Sequence, residues 1–194
     1  MILYGASGHA KVIIDILLKN KVDIISIMDD DKNISKILNH PVNQEKNNFN
    51  DTNLIISIGN NKIRKSIAKK LQDVNYGIAI HPKTVIDKTV VIKNGTVIMA
   101  NTVINSSVKI GEHCILNTSS VIEHDCVIND FVHISPSATL CGNVTVDEGT
   151  HIGAGAIVIP NIKIGKWCII GAGSVVIKNM PDNTTVVGNP ARFI

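Results

Sequence analysis

Starting at Ile80 and stepping by six, the chain reads Ile86, Ile92, Ile98, Ile104, Ile110, Leu116, Ile122, Ile128, Ile134, Leu140, Val146, Ile152, Val158, Ile164, Ile170 and Val176. All seventeen positions are aliphatic. Four residues beyond each, from Thr84 to Ser174, stands Thr, Val, Cys, Ser or Ala, with a single Ile at Ile162. A helix of period 3.6 does not give this pattern, and an isolated strand alternates for only about four to eight residues. A strict period of six belongs to a parallel β-helix, in which each short strand stacks on its equivalent one coil below. The 44% apolar content is mostly Ile and Val and aromatics are only 3%, which suits stacked strands better than a helical bundle.

The register also places three of the four cysteines. Cys114, Cys126 and Cys168 fall in the small inward slot and read as core, so none of them is expected as a nucleophile. No pair has CxxC spacing, so neither zinc nor redox chemistry is signalled.

Residues 1–79 follow a different pattern. Short apolar strands are expected at 2–4, 24–28, 54–58 and 76–80, with helices after the first (KVIIDILLKN) and the third (IRKSIAKKLQ) and a polar loop at 43–53. Strands alternating with helices indicate a small parallel α/β domain, a half-Rossmann-like unit. The first turn, GASGHA, can present backbone N–H groups to a phosphate. It lacks the third glycine of a dinucleotide fingerprint, and about 80 residues is half of a dinucleotide domain, so it points to a nucleoside diphosphate group rather than NAD. Plain turn geometry for Gly5 and Gly8, and solvated strand-end charge for Asp29 and Asp30, are the alternatives.

The stretch IEHDCVINDFVH, residues 122–133, holds the candidate chemistry. His124 and Asp125 are the third and fourth residues of their hexad, outside both inward slots, which places them at a corner of the coil. A histidine there, its tautomer fixed by a carboxylate, can take a proton near neutral pH. Asp125 or Glu123 can be that carboxylate, and a surface histidine with incidental acids is the other reading.

The combination of YGASGHA, a second strand ending MDD, IGNNKIRK, then NTSSVIEHDCVINDFVH and a terminal GNPARFI resembles the hexapeptide-repeat sugar acetyltransferases of the sialic acid O-acetyltransferase (NeuD) family. The branch that N-acetylates UDP-linked 4-amino-4,6-dideoxy sugars is the most similar. The resemblance implies a left-handed β-helix of three hexads per coil over residues 80–194, behind a sugar-nucleotide domain at 1–79. It implies acetyl transfer from acetyl-CoA to a sugar amine with His124 as general base, oriented by Asp125 where the family often has Glu. It further implies acetyl-CoA contacts at His133, Ala154 and Ala172, and substrate contacts at Ser7, Gly8, His9, Asp29, Asp30 and Gly59. The family's homotrimers place their sites between subunits. That agrees with the nine residues between His124 and His133, half a coil if a coil is eighteen. The glycines flanking Ala154 and Ala172 also suit plain corner geometry. Lys163, Lys166, Lys178 and Arg192 are candidates for the CoA phosphates.

Two other functions stay open: O-acetylation of sialic acid or another sugar hydroxyl, and a non-enzymatic assembly scaffold. A formal charge of +3 is too weak to argue for nucleic acid. No apolar run approaches the roughly 18 residues of a membrane span, and the first residues lack the marks of a signal peptide, so a cytoplasmic protein is expected. Two histidines without a third ligand, His133 and His151, do not make a metal site.

Overall fold

The computed structural model describes residues 1–44, 52–71 and 73–194. From residue 79 to residue 176 the chain winds as a parallel β-helix of two-residue strands. Each strand pairs with the one eighteen residues on: Val103–Ile104 with Val121–Ile122, and that in turn with Thr139–Leu140. Three hexads therefore close one coil, and the solenoid has about six turns. Its three faces are the sheets whose strands begin at residues 85, 91 and 79 and recur every eighteen residues.

The aliphatic row forms the core. Every member from Ile98 to Val176 is buried, and each such side chain contributes on the order of 1.5–3 kcal/mol. Cys114, Cys126 and Cys168 lie in the small slot at 0%, 0% and 1% exposure. The threonines there carry their own satisfaction: Thr96 Oγ1 donates to the Gly111 carbonyl and Thr150 Oγ1 to that of Gly165, over 2.9 and 2.7 Å.

A second six-residue period runs along the corners. Fourteen positions spaced by six, from Gly95 to Gly173, have positive φ. Gly, Asn, Ser and Asp occupy eleven of them, the residues that tolerate the left-handed region best apart from Ser. The remaining three are His113, Phe131 and Trp167.

The N-terminal part consists of β1 (Ile2–Tyr4), α1 (Gly8–Lys19), β2 (Ser26–Met28), β3 (Lys36–Ile37), β4 (His40–Pro41), β5 (Leu54–Ile56) and α2 (Asn61–Lys70). β1 lies between β2 and β5, parallel to both. The β3–β4 hairpin has no counterpart in the sequence reading. The stretch expected as a fourth strand, 76–80, divides instead. Tyr76 bridges to Leu54, while Ala79–Ile80 pairs with Val97–Ile98 as the first strand of the solenoid. The reason is the register: Ile80 is the first residue of the aliphatic row and packs against the solenoid core. Of the loop expected at 43–53, Asn43 bridges to Met28, and residues 45–51 lie outside the described residues. None of the described helices is long and apolar enough to cross a membrane.

The two parts share a core. On the face that begins at residue 79, the outward residues Ala79, Val97 and Ile115 are buried in one cluster with Leu3, Ile13 and Leu17. Further along the same outward column the residues change to His133 and then His151. α2 docks through polar groups. Asn61 Nδ2 donates to the Gly149 carbonyl over 3.0 Å. Arg64, 1% exposed, gives Nε to the His113 carbonyl (2.8 Å), Nη1 to those of Ile58 and Gly59 (both 3.1 Å), and Nη2 to Asn61 Oδ1 (2.9 Å) and the Phe131 carbonyl (3.0 Å). Every N–H direction of its fork meets an acceptor, which is what burying a guanidinium demands. Burial pulls it down to about 10, which leaves it charged at neutral pH.

Candidate active site

His124 and Asp125 form one corner of the solenoid. Asp125 takes the left-handed position, at φ 62°. From there its Oδ2 lies 2.8 Å from His124 Nδ1, with both side chains 59% exposed. Glu123 turns elsewhere and accepts from Asn105 Nδ2 over 2.8 Å. Asp125 is thus the carboxylate on the imidazole, and its shorter side chain reaches because the corner bends the backbone back toward the ring. A proton on Nδ1 satisfies Asp125 and leaves the Nε2 lone pair free to accept.

His133 stands elsewhere, on the face that carries the N-terminal domain. Its ring stacks on that of His151 at 4.8 Å and 10°. Asn117 Nδ2 lies 3.3 Å from its Nε2, and Ser135 Oγ lies 2.7 Å from His151 Nε2. Burial pushes His133 down to about 3, and the nearby His151, Arg64 and His9 add to this, while a hydrogen bond with the Gly59 backbone works against it. Burial likewise lowers His9 to about 4, and its Nε2 is enclosed without a hydrogen-bond partner. A cleft of about 560 Å³ opens here, lined by Gly59, Asn60, His133, His151, Trp167 and Ile169 among others. Within one chain His133, His9 and Gly59 come together. His124 is at a different corner and does not join them.

Ser7 caps α1 in an extended conformation, and its side chain bonds no helix amide. A Cβ at Gly8, the first residue of α1, or at Gly59 would meet nothing within 4 Å, so both positions face open space. Asp29 has a structural duty: it accepts from the backbone N–H of Ala6 over 2.6 Å and from that of Asp31 over 2.9 Å. Asp30 accepts from the Tyr4 hydroxyl over 2.7 Å. Asp29 therefore ties the end of β2 to the first turn, and Asp30 ties it to the end of β1.

Ala154 and Ala172 are exposed at a third corner, one coil apart. The glycines after them, Gly155 and Gly173, hold the left-handed position and face open space. The glycines before them serve packing, since a Cβ at Gly153 would lie 2.5 Å from the Ile170 carbonyl oxygen. The buried thiols are poor nucleophiles: burial pushes Cys114 up to about 12 and Cys126 to about 11.

Residues 1–71 match the PglD N-terminal domain, and residues 89–124 and 143–178 match the bacterial transferase hexapeptide (six repeats). Sequence comparison with curated proteins gives no match. Among solved structures, PerB from Caulobacter crescentus, in complex with CoA and GDP-perosamine, is 33% identical with a TM-score of 0.94, the match covering 100% of this chain and 96% of that one. The chain belongs to the NeuD/PglD family of hexapeptide-repeat sugar N-acetyltransferases. Two further structures agree with that family. The acetyltransferase domain of PglB from Neisseria gonorrhoeae, in complex with acetyl coenzyme A, is 30% identical over 100% of this chain and 98% of that one, with a TM-score of 0.93. WeeI from Acinetobacter baumannii is also 30% identical over 100% and 98%, at 0.92.

Three features of this NeuD/PglD-family chain escaped the sequence reading. Arg64 sits in a stretch so rich in Lys that nothing marked it as buried. Nothing in the sequence marks Ser135 as the partner of His151. Gly142, one coil beyond His124, lies under the imidazole, and the eighteen-residue spacing alone was enough to find it.

Proposed function

We propose that this chain transfers the acetyl group of acetyl-CoA to the 4-amino group of a UDP-linked 4-amino-4,6-dideoxy sugar, with His124 as general base. The observation that carries the reading is the exposed His124–Asp125 pair at 2.8 Å on the corner of a hexapeptide solenoid. PerB, with its bound CoA and GDP-perosamine, supports an amino sugar on a nucleoside diphosphate as the acceptor class. UDP as the carrier rests on the resemblance of the sequence motifs.

In this mechanism the sugar amine attacks the thioester carbonyl carbon, forming the C–N bond. Nε2 of His124 takes the proton that the nitrogen sheds, and Asp125 holds the imidazolium through Nδ1–H. Collapse of the tetrahedral adduct breaks the C–S bond, and the proton passes from His124 to the departing thiolate. The N-terminal domain, residues 1–79, holds the nucleotide through Ser7, Gly8, His9, Asp29, Asp30 and Gly59. Acetyl-CoA lies along a cleft that Ala154 and Ala172 leave open, with His133 at its side. The separation of His124 from His133 within one chain favours a homotrimer in which two subunits complete each site.

The test is acetyl-CoA turnover with UDP-, GDP- and dTDP-linked 4-amino sugars, and with free and CMP-linked sialic acid. His124→Ala should lower the rate with the preferred amino sugar by about 10²–10⁴-fold, the usual contribution of a general base, and leave the melting temperature nearly unchanged. Undiminished turnover in that variant would remove His124 from the chemistry, and activity confined to sialic acid would move the reaction to a hydroxyl.

A further inference from the structure

His124 is held by more than Asp125. A Cβ built on Gly142 would lie 2.7 Å from Cε1 of His124, 2.8 Å from Nε2 and 3.4 Å from Nδ1. The first two distances are well inside van der Waals contact, so the imidazole rests directly on the α-carbon of Gly142. Its position has two determinants: the Asp125 carboxylate at Nδ1 and the bare backbone of Gly142 under the opposite edge.

The fold does not ask for glycine there. Gly142 has no positive φ, so any L-residue fits its backbone. On the corner of His124 the equivalent position of other coils carries Lys88, Ser106 and Pro160, and the same hexad position on the other two corners carries Glu112, Thr118, Asp130, Glu148, Ala154 and Lys166 among others. Side chains are therefore accommodated at this position on all three corners, and Gly142 is the one against which the His124 ring lies.

We infer that Gly142 is a positioning residue for His124, and that its missing side chain sets where Nε2 points. The inference rests on the reading of His124 as the base. A methyl group at 142 makes the ring move. Because the His124 side chain is 59% exposed, it can swing out into solvent without disturbing the core. The fold loses little, and the alignment of Nδ1 with Asp125 is lost. Misplacement of a reacting group by about 1 Å costs up to about 10²-fold in rate.

Gly142→Ala is the test, with three readouts. Its melting temperature should stay within about 2 °C of the parent, as for a surface substitution in a chain of this size. kcat should fall roughly 10–100-fold, with the KM of both substrates unchanged. The ring ¹⁵N shifts of His124 should move from a single Nδ1–H tautomer to a mixture. Unchanged ¹⁵N shifts together with unchanged kcat overturn the inference.

The double variant His124→Ala, Gly142→Ala separates the remaining possibilities. If Gly142 acts through the ring, the double variant is no slower and no less stable than His124→Ala alone. A further loss of rate or stability in that background means that Gly142 acts by another route, and the inference fails. Should His124→Ala retain full activity, the base reading fails by itself, while the ¹⁵N shifts still report whether Gly142 positions the ring.

Discussion

The ring of His133 lies 4.8 Å from that of His151 and only 10° from parallel, at the point where the outward column of one face stops being apolar. The stack exists because the two residues are one coil apart, and the parallel register places equivalent side chains over each other. Two imidazoles in that arrangement cannot both carry charge, and the Arg64 guanidinium nearby adds to the repulsion.

Stability should therefore fall in mild acid. His133, His9 and His113 are lowered to about 3, 4 and 4 in the folded chain, whereas an unfolded histidine titrates near 6.5. Below about 6.5 the unfolded state binds more protons, so stability is full above that pH and is lost as pH falls toward about 4. Each such group contributes a slope approaching 1.4 kcal/mol per pH unit, about 2.303RT per proton. Thermal melting at pH 7.5, 6.5, 5.5 and 4.5 should show a melting temperature level at first and then dropping. His113→Phe, which keeps the stack on Phe131 seen at 5.0 Å, should flatten the drop. A melting temperature independent of pH over this window would contradict the assignment.

Arg64→Met should be among the more damaging single changes in the chain. It strips the hydrogen bonds from the carbonyls of Ile58, Gly59, His113 and Phe131. Buried acceptors left unpaired cost about 1–3 kcal/mol each, part of which local water and relaxation recover. A loss of about 3–5 kcal/mol is expected, comparable to breaking a buried charged group from its partners. Chemical denaturation with an unchanged m-value checks it. A loss below about 1 kcal/mol, the scale of one net hydrogen bond, would show that Arg64 is not what holds the two parts of the chain together.

The solenoid was the most legible part of the fold, because a six-residue aliphatic row leaves one solution and each inward residue reports its own position. Ile80 shows the limit: the apolar run at 76–80 reads as a strand of the α/β sheet, but Ile80 also opens the aliphatic row, and the row decides its partner. The β3–β4 hairpin was not legible, since Lys36–Ile37 and His40–Pro41 are too short for any period to appear. At the site, the choice between Asp125 and Glu123 depended on the corner's left-handed residue, a backbone property with no hydrophobic signature. Arg64 was hidden for a different reason. Its burial comes from carbonyl groups, and carbonyl groups leave no trace in side-chain identity.

Replacing both Asp29 and Asp30 with Asn should raise the KM of the nucleotide sugar and leave that of acetyl-CoA alone. The structure adds a reason beyond direct contact. Asp29 accepts from the Ala6 N–H at 2.6 Å, and a charged acceptor holds a backbone N–H about twice as strongly as a neutral one. The Asn variant therefore loosens the first turn that presents Ser7 and Gly8. The single variant Asp30→Asn keeps that clamp and should have the smaller effect. A raised acetyl-CoA KM in either variant would place these carboxylates at the other substrate.

The separation of His124 and His133 makes the strongest test of the assembled site. His124 stands at a corner and His133 on the face covered by the N-terminal domain, so one chain does not bring them to one substrate. In a trimer whose neighbours complete each site, His124→Ala and His133→Ala subunits carry complementary defects. Each variant alone should be strongly impaired. When equal amounts are mixed and allowed to exchange subunits, roughly one interface in four pairs an intact His124 with an intact His133, by random assortment in a closed ring. Activity should return to about that fraction of the parent, with no change in either KM, because the restored sites are complete ones. The exchange itself is checked by mass spectrometry of differently tagged subunits. If exchange is complete and activity stays at the level of the separate variants, both histidines act from one chain, and the shared-site arrangement is wrong.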